Sequence, residues 1–255
     1  MSLFHQAAEL QGLNARAALC VVVASSGSTP RKIGAKMIVI DEGDTDRIIG
    51  TIGGGAIEHL IRKKAVNAIR QKAPELVSTS LRNELGMCCG GEMTVFIEPI
   101  KRRPQFFCFG AGHIAQALCP LIAHIGFDVL VADERRPLLD QEAFSKARLR
   151  LDDTSNFAIK TMSFDDDTYV VVATHDHGLD QKIIENILAH PFKYAALVGS
   201  KRKALMTKKR LLAKGFLPNA CERITCPAGI DIYARTPEEI AVSIAAQMIS
   251  IKNAG

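Results

Sequence analysis

The residues best suited to chemistry lie in a glycine-rich turn near the middle of the chain. An apolar run, Phe106–Phe109, leads into Gly110-Ala111-Gly112-His113, and Ala115 stands three positions after the second glycine. This G-x-G-x-x-A pattern is typical of a nucleotide-binding turn, where the first glycine permits a tight bend and the second lets a pyrophosphate approach the backbone. A second strand pattern ends in Asp133, roughly 20 residues on, where dinucleotide-binding domains hold ribose hydroxyls. The turn predicts a Rossmann-type domain; a βαβ unit whose glycines only serve packing is the alternative.

Further polar groups follow other strand patterns of the same half. Arg135 or Arg136, shortly after the acidic position, suits a phosphate, although both are equally surface charges. His175, Asp176 and His177 follow the buried-strand pattern of residues 168–173. Open α/β sheets bind ligands at the carboxyl ends of their strands. This cluster is therefore a candidate for ligand binding, proton transfer or metal binding, and the i, i+2 spacing of the histidines is poor for chelation.

A third anion-binding pattern begins a helix after the strand pattern of residues 194–198. Gly199 is followed by Ser200, Lys201 and two further cations. The amino end of a helix favours anions, so cations there are unfavourable unless a negative group lies among them. We interpret Ser200 and Lys201 as contacts for a phosphate.

The first half of the chain contains two glycine-containing loops. Residues 25–37 are polar, and Ser28 and Arg31 offer a hydroxyl and a guanidinium to an anion; a strand-to-strand turn is the alternative. Gly53-Gly54-Gly55 precede a helix, and three consecutive glycines indicate unusual dihedrals or a ligand against the backbone. Glu58, in the first helical turn, is either a ligand contact or a carboxylate that stabilises the helix dipole.

A cysteine pair precedes another glycine pair, in Cys88-Cys89-Gly90-Gly91. Adjacent cysteines rarely chelate one metal ion. A single thiol on a glycine-flanked loop, such as Cys89, is suited to act as a nucleophile or as a ligand for a soft metal, and a plain apolar thiol is the alternative.

Composition limits the classes of protein. The 255 residues are 47% hydrophobic and 23% charged, as in ordinary soluble globular proteins. Long apolar runs and a signal peptide pattern are absent from the sequence, so we expect a cytoplasmic protein without membrane association. Seven scattered cysteines without a C-x-x-C pair argue against a disulfide framework and a zinc ribbon. Because aromatic residues make up 5% of the chain and tryptophan is missing, we expect no nucleic-acid partner.

The periodicities predict an α/β fold with two domains. We expect a mixed α/β domain over residues 1–100, a linker around Lys101–Pro104, and a Rossmann-like parallel-sheet domain over residues 104–255. A polar connection is predicted to link the helix that follows Gly55 to the segment that begins at Leu85. Thr236, Pro237 and Glu239 predict a capping box at the start of a last helix. Strands are predicted at residues 18–24, 37–40, 47–52, 93–99, 106–109, 127–132, 168–173 and 194–198, and helices at 3–13, 112–124 and 178–189 and after Gly55, Gly199 and Thr236.

Taken in order, these motifs resemble the XdhC/CoxI family of xanthine dehydrogenase accessory proteins, along nearly the whole chain. The resemblance is carried by Gly27–Arg31 with Gly34–Met37, Gly53–Gly55 with Glu58, Cys89–Gly91, Gly110–His113 with Asp133 and Arg135, Thr174–His177 with Asp180, Gly199–Lys203, and Thr236–Ile244.

The resemblance implies an XdhC/CoxI-type N-terminal domain and a chaperone without turnover of its own. Such proteins bind the molybdenum cofactor (molybdopterin), protect it while a cysteine desulfurase supplies its sulfido ligand, and deliver it to a molybdenum hydroxylase such as xanthine dehydrogenase; a homodimer is expected. Cys89 would adjoin the molybdenum. The cofactor-binding residues would be Ser28, Arg31, Gly53, Gly54, Gly55, Glu58, Cys89, Gly90, Gly91, Gly110, Gly112, His113, Asp133, Arg135, His175, Asp176, Ser200 and Lys201.

Three positions depart from the family pattern. Ala56 stands where a cysteine is usual, Tyr233 where a glycine is expected, and Gln247 where a glutamate is common. The alternative functions are an NAD(P)-dependent oxidoreductase that uses the Rossmann turn and a module that senses a nucleotide. The sequence also leaves open whether an accessory protein of this kind binds a nucleotide or dinucleotide in addition to molybdopterin.

Overall fold

The computed structural model describes residues 2–13, 15–81, 90–153, 159–160, 162 and 164–254. The chain divides into two compact units, Met1–Arg103 and Pro104–Gly255. Cys88 and Cys89 lie outside the described residues, so the proposed role of the Cys89 thiol stays a prediction.

The first unit is a mixed α/β unit with an antiparallel sheet. Its elements are α1 (Leu3–Gly12), β1 (Ala17–Ser26), β2 (Lys36–Asp41), β3 (Asp46–Gly50), α2 (Gly55–Gln71), β4 (Glu75–Ser80) and β5 (Glu92–Pro99). The described strands lie in the order β3-β2-β1-β5-β4, and every neighbouring pair is antiparallel. One side of α2 covers the sheet with Ile57, Ile61, Ala65 and Ala68, which recur at helical spacing and are buried.

Strand β1 positions the loop that contains Ser28. Its apolar residues pair with both β2 and β5, which places it at the centre of the sheet. A bulge between Val22 and Ala24 shifts the register against β5, and Val23 there is 43% exposed. Beyond the bulge the pairing continues to Ser26 opposite Glu92. The loop after β1 therefore begins beside the residues that precede β5.

The prediction of a polar connection before Leu85 was wrong over residues 75–80. Glu75–Ser80 form the edge strand β4, which pairs with β5. Its inward residues are Val77 and Thr79, and both are buried. Thr79 is polar, and most of the remaining residues of β4 are hydroxylic or charged. The strand therefore lacks the alternation of apolar and polar residues by which a half-buried strand is recognised in a sequence.

The second unit is a doubly wound α/β unit. Its elements are β6 (Gln105–Phe109), α3 (His113–His124), β7 (Asp128–Ala132), α4 (Arg136–Leu139), β8 (Leu149–Leu151), β9 (Thr168–Val172), α5 (His177–Ile187), β10 (Tyr194–Leu197), α6 (Lys201–Ala213), α7 (Pro218–Glu222), β11 (Ile224–Thr225) and α8 (Pro237–Asn253), with a 3₁₀ turn at Glu142–Phe144. The described strands are parallel and lie in the order β11-β10-β9-β6-β7-β8. When β6 is counted as strand 1, this is the 6-5-4-1-2-3 order of dinucleotide-binding domains, so the Rossmann-like prediction is confirmed.

Helices cover both faces of this sheet, which explains why its strands read as continuous apolar runs. All five residues of β6 and all five of β9 are buried. Helices α3 and α8 pack on one face through residues such as Leu118 and Met248. Helix α5 packs on the other face through Ile183, Ile184 and Ile187.

The start of α8 has the predicted capping box. The Thr236 hydroxyl accepts a hydrogen bond from the Glu239 amide at 3.3 Å, and the Glu239 carboxylate accepts one from the Thr236 amide at 3.1 Å. Within the part of the chain that the structure describes, no helix has the length and apolar character needed to cross a bilayer.

Candidate functional site

The Gly110–Gly112 turn lies at the carboxyl end of β6 and has two different glycines. Gly110 has φ +105, and a Cβ added to it would lie 2.3 Å from the carbonyl oxygen of Ala173, at the end of β9. Glycine is therefore required there by both dihedral and contact. At Gly112, no described atom lies within 4 Å of an added Cβ. With respect to the described residues, the space beside the second glycine is open, as phosphate approach requires.

Helix α3 begins directly after this turn, at His113. Its N-cap is Gly112, and among the described residues no side chain caps this end. Ala115 is buried and lets the helix pack on its strand, as predicted. The His113 side chain is exposed. The first amides of α3 thus retain their capacity to bind an anion.

Asp133 follows β7 and is bound within the protein. Its Oδ2 accepts hydrogen bonds from the Ala111 amide and from Arg135 Nη2, both at 2.7 Å. Its Oδ1 accepts from the Arg135 amide at 2.8 Å and from Arg135 Nε at 2.9 Å. Burial alone would raise the pKa of Asp133, but the hydrogen bonds from Arg135 and Ala111 and the charge of Arg135 lower it. The carboxylate is held ionised and fixes the shape of the turn.

A second buried carboxylate, Asp180, joins the ends of β9 and β10. The Asp180 side chain is 1% exposed. Its Oδ1 accepts from the Thr174 hydroxyl at 2.7 Å and from the Thr174 amide at 3.2 Å. Its Oδ2 accepts from Lys203 Nζ at 2.6 Å, and Lys203 also donates to the Val198 carbonyl at 2.8 Å. The negative charge of Asp180 is thereby compensated inside the protein.

The Gly199–Lys203 motif is explained by this pair. A Cβ at Gly199 would lie 2.3 Å from Cδ of Lys203, so glycine leaves room for the lysine side chain to turn back. The Ser200 hydroxyl caps α6 by accepting from the Lys203 amide at 3.2 Å. Lys201 and Arg202 are exposed. The sequence pattern indicates Lys201 as a ligand contact, and the internal pairing of Lys203 with Asp180 was not predicted.

The His175–His177 segment lies at the same edge of the sheet. Asp176 caps α5, because its Oδ1 accepts from the Leu179 amide at 2.7 Å. This hydrogen bond lowers the pKa of Asp176. His175 and His177 are exposed, and Nδ1 of His177 lies 3.8 Å from Oδ2 of Asp180. In the described ranges, no group of three or more histidine, cysteine or acidic residues has an arrangement that would hold a metal ion.

In the first unit, the triple glycine binds the chain's own carboxylate. Oε1 of Glu58 accepts from the Ile52, Gly53 and Gly54 amides at 3.1, 3.3 and 2.8 Å, and also from the Thr51 hydroxyl. Burial would raise the pKa of Glu58, but these hydrogen bonds together lower it. All three glycines have positive φ values, of 137°, 77° and 63°. The loop is an anion-binding nest that Glu58 fills.

Two other predicted motifs contact one another beside this nest. A Cβ on Gly53 would lie 2.5 Å from Cγ of Pro30, and one on Gly91 would lie 2.4 Å from the Ser26 carbonyl oxygen. The Gly91 amide donates to the Ser28 carbonyl at 3.1 Å. The loop after β1 is therefore held between the triple glycine and the glycine pair.

This loop presents exposed polar groups. Ser28 and Arg31 are exposed on this loop, and Gly90, which precedes β5, is exposed as well. Cys89 directly precedes Gly90 in the chain and lies outside the described residues. The structure thus brings together the Ser28 loop, the triple glycine and Gly90–Gly91, within the first unit.

The three departures from the family pattern have different structural settings. Tyr233 has φ +58, in the left-handed region, which costs a non-glycine residue about 1 kcal/mol. Gln247 accepts from the Tyr194 hydroxyl at 2.6 Å and from the Gly229 amide at 2.9 Å, as a glutamate carboxylate could. Ala56 is partly buried in the first turn of α2.

Comparison with known proteins gives consistent matches. Residues 106–248 match the family model described as the XdhC Rossmann domain, and residues 11–80 match that of the XdhC and CoxI family. The uncharacterized protein YqeB of Escherichia coli K12 is 33% identical over 258 residues, which cover 99% of this chain and 47% of YqeB. A probable xanthine dehydrogenase subunit of Bacillus subtilis 168 is 33% identical over 158 residues, 62% of this chain and 46% of that protein.

These curated relatives are longer, and the chain spans about half of the length of each. A crystal structure of a xanthine dehydrogenase from Bacillus halodurans is similar with a TM-score of 0.55 and 21% identity, over all of this chain and 96% of that one. At this identity the likeness shows a shared fold.

Proposed function

Because this chain belongs to the XdhC family, we propose that it is an accessory factor for a molybdenum hydroxylase of the xanthine dehydrogenase type. It binds the molybdenum cofactor, assists its sulfuration and delivers it to the hydroxylase. Its partners are the hydroxylase and a cysteine desulfurase, and it acts as a homodimer in the cytoplasm. The names of the Bacillus relatives, which refer to xanthine dehydrogenase, support this choice of client.

The observation that carries the proposal is the distribution of charge at the carboxyl edge of the parallel sheet. The two buried carboxylates there, Asp133 and Asp180, are compensated by Arg135 and Lys203. The open space beside Gly112 adjoins the uncapped first turn of α3 in the described structure. A helix amino end without a carboxylate of its own favours an anionic ligand.

These residues fit the phosphate of molybdopterin. The first amides of α3 would donate to phosphate oxygens, and the partly exposed Arg135 and the exposed Lys201 would add positive charge at the same edge of the sheet. When bound, the cofactor supplies a thiophilic molybdenum–sulfur centre. Within the first unit, Cys89 is the proposed soft thiol, and the exposed Ser28 and Arg31 are its proposed polar ligand contacts.

The first experiment tests cofactor binding. We expect the full chain, purified under anaerobic and reducing conditions, to form a stoichiometric complex with molybdopterin. Gly112→Val should weaken binding at least tenfold, about 1.4 kcal/mol, because its side chain fills the open space. Gly12→Val is the matched control, since Gly12 also has free space but ends α1. Absence of a stoichiometric complex would contradict the proposal.

The second experiment tests the thiol. We expect Cys89→Ala to retain cofactor binding through the phosphate and to lose the ability to activate a sulfuration-dependent hydroxylase. Cys20→Ala is the control, because the Cys20 thiol is buried in the core and burial raises its pKa to about 12. Full activation of the hydroxylase by the Cys89→Ala protein would remove the thiol from the mechanism.

An NAD(P)-dependent oxidoreductase is the second candidate, and the strand order of the sheet favours it. The occupied carboxylate of Asp133 argues against it.

A further inference from the structure

The acidic residue after β7 has the position of a ribose ligand. In dinucleotide-binding domains, a carboxylate after the second strand of the parallel sheet accepts hydrogen bonds from the ribose hydroxyls. Strand β7 is that second strand, and Asp133 is the residue that follows it. However, Asp133 is 2% exposed. Its position in the fold and its accessibility therefore point to different roles.

The hydrogen bonds of Asp133 use its full accepting capacity. An ionised carboxylate offers about four lone-pair positions. Four donors occupy them: the Ala111 amide, the Arg135 amide, and Nε and Nη2 of Arg135. The two guanidinium contacts form a bidentate pair with Nη2 at 2.7 Å and Nε at 2.9 Å. A ribose diol would have to displace the guanidinium before it could bind.

We infer that Arg135 is a specificity-determining residue that masks Asp133 and so excludes ligands held by a ribose diol, such as NADH, from the Rossmann turn. The turn accepts ligands that reach it through a phosphate, which needs the amides of α3 and makes no demand on Asp133. The Asp133–Ala111 hydrogen bond meanwhile keeps the turn in shape for that phosphate. This inference concerns what the turn rejects, and it does not depend on the molybdenum cofactor.

The test is a calorimetric titration of the full chain, with NADH and with NADPH separately. We expect the wild-type protein to show no saturable NADH binding up to about 1 mM. Arg135→Ala should raise the affinity for NADH at least tenfold, because the carboxylate becomes free to accept from the diol. It should not raise the affinity for NADPH, because the freed carboxylate repels the 2′-phosphate that replaces a ribose hydroxyl.

Two further variants control for indirect effects. Arg136→Ala removes the neighbouring arginine, which pairs with Asp140 and Asp152 at the surface, and should leave NADH binding unchanged. The double variant Asp133→Ala/Arg135→Ala should lose the gain, since the diol has no carboxylate to bind. If Arg135→Ala does not fold, Arg135→Lys keeps a cation with a single donor group and should give a smaller gain.

Three results would overturn the inference. They are saturable binding of NADH at micromolar concentration by the wild-type protein, no gain of NADH affinity in a folded Arg135 variant, and equal gains for NADH and NADPH. The last result would mean that the substitution merely widens the crevice. The molybdopterin titration is a separate measurement, so failure of one proposal is distinguishable from failure of the other.

Discussion

The two units each begin a helix with a glycine-rich turn, but they treat the helix amides in opposite ways. In the first unit Gly54 caps α2, and Glu58, four residues later, turns back to accept from the loop amides. In the second unit Gly112 caps α3, and the residue four positions later is Gln116, which donates to the Ala111 carbonyl at 3.1 Å. The first nest is therefore filled by its own chain, and the second has no such carboxylate. One residue four positions after the cap distinguishes a scaffold from a candidate anion site.

The contact of Gly110 with β9 should give the largest effect and tests whether the second turn is rigid. We expect Gly110→Ala to destabilise the protein by about 3 kcal/mol or more, because the Cβ meets the Ala173 carbonyl and φ is positive. Gly112→Ala should change stability by about 0.5 kcal/mol or less, since space there is open. Urea unfolding followed by circular dichroism measures both; equal losses would show that the two glycines are not distinct.

Glu58 tests whether the first nest is a scaffold. We expect Glu58→Ala to lower the free energy of unfolding by about 2 kcal/mol, because the loop amides lose the charged acceptor of their hydrogen bonds. Glu98→Ala, at an exposed position of β5, is the control and should have little effect. A loss in Glu58→Ala no larger than in the control would contradict the scaffold role.

The pH dependence of the same residue sharpens the comparison. Hydrogen bonding lowers the pKa of Glu58 below its ordinary value of 4.5, so the unfolded chain binds its proton more readily than the folded one. The stabilisation is then fully present above pH 4.5 and is lost as the pH falls through the lowered pKa. We expect the stability difference between wild type and Glu58→Gln to be constant near neutral pH and to shrink below pH 4.5. A difference that grows on acidification would mean that the pKa of Glu58 is raised by folding, which contradicts the prediction.

Gln116→Glu should convert the second turn into the first type, with the smallest effect on stability. A carboxylate in the first turn of α3 interacts favourably with the helix dipole, but it loses the hydrogen bond that Gln116 donates to Ala111, so we expect a net change in stability of about 0.5 kcal/mol or less. The same carboxylate should compete with an anionic ligand and lower the affinity for molybdopterin. Thermal unfolding and ligand titration measure the two effects, and Gln141→Glu, outside the turn, is the control. Unchanged ligand affinity would mean that α3 amides do not bind the phosphate.

Local signals explain most of what the sequence predicted correctly. The capping box at Thr236 and the glycine turn at Gly110 each involve residues a few positions apart, and their chemistry is the same in any context. The order of apolar runs and helices predicted the parallel sheet because short crossovers restrict the possible topologies. Strand β4 was not predicted, since an edge strand with hydroxylic residues lacks a strong hydrophobic pattern.

The partners of the charged residues depended on the path of the backbone and on side-chain rotamers, which residue spacing does not reveal. The sequence pattern does not show that Arg135 turns back onto Asp133 with two guanidinium nitrogens, or that Glu58 reaches the loop amides, although these partners are close in sequence. Lys203 was partly accessible to reasoning, because it shares a helix face with Thr207 and Leu211, both buried, whereas Lys201 does not. The spacing of the buried residues along α6 therefore identifies Lys203 as the lysine that faces inward.

The contact between Gly110 and Ala173 also sets the timescale of events at the turn. It joins backbone segments at the ends of two hydrogen-bonded strands, β6 and β9, whose collective motions take microseconds or longer. The Arg135 side chain is 39% exposed, but its guanidinium is held on Asp133 by two hydrogen bonds. A ligand would thus meet a backbone floor and an Arg135 side chain that are both held in place during the encounter. We expect association at this turn to be limited by diffusion and charge, with no slow opening phase in stopped-flow traces.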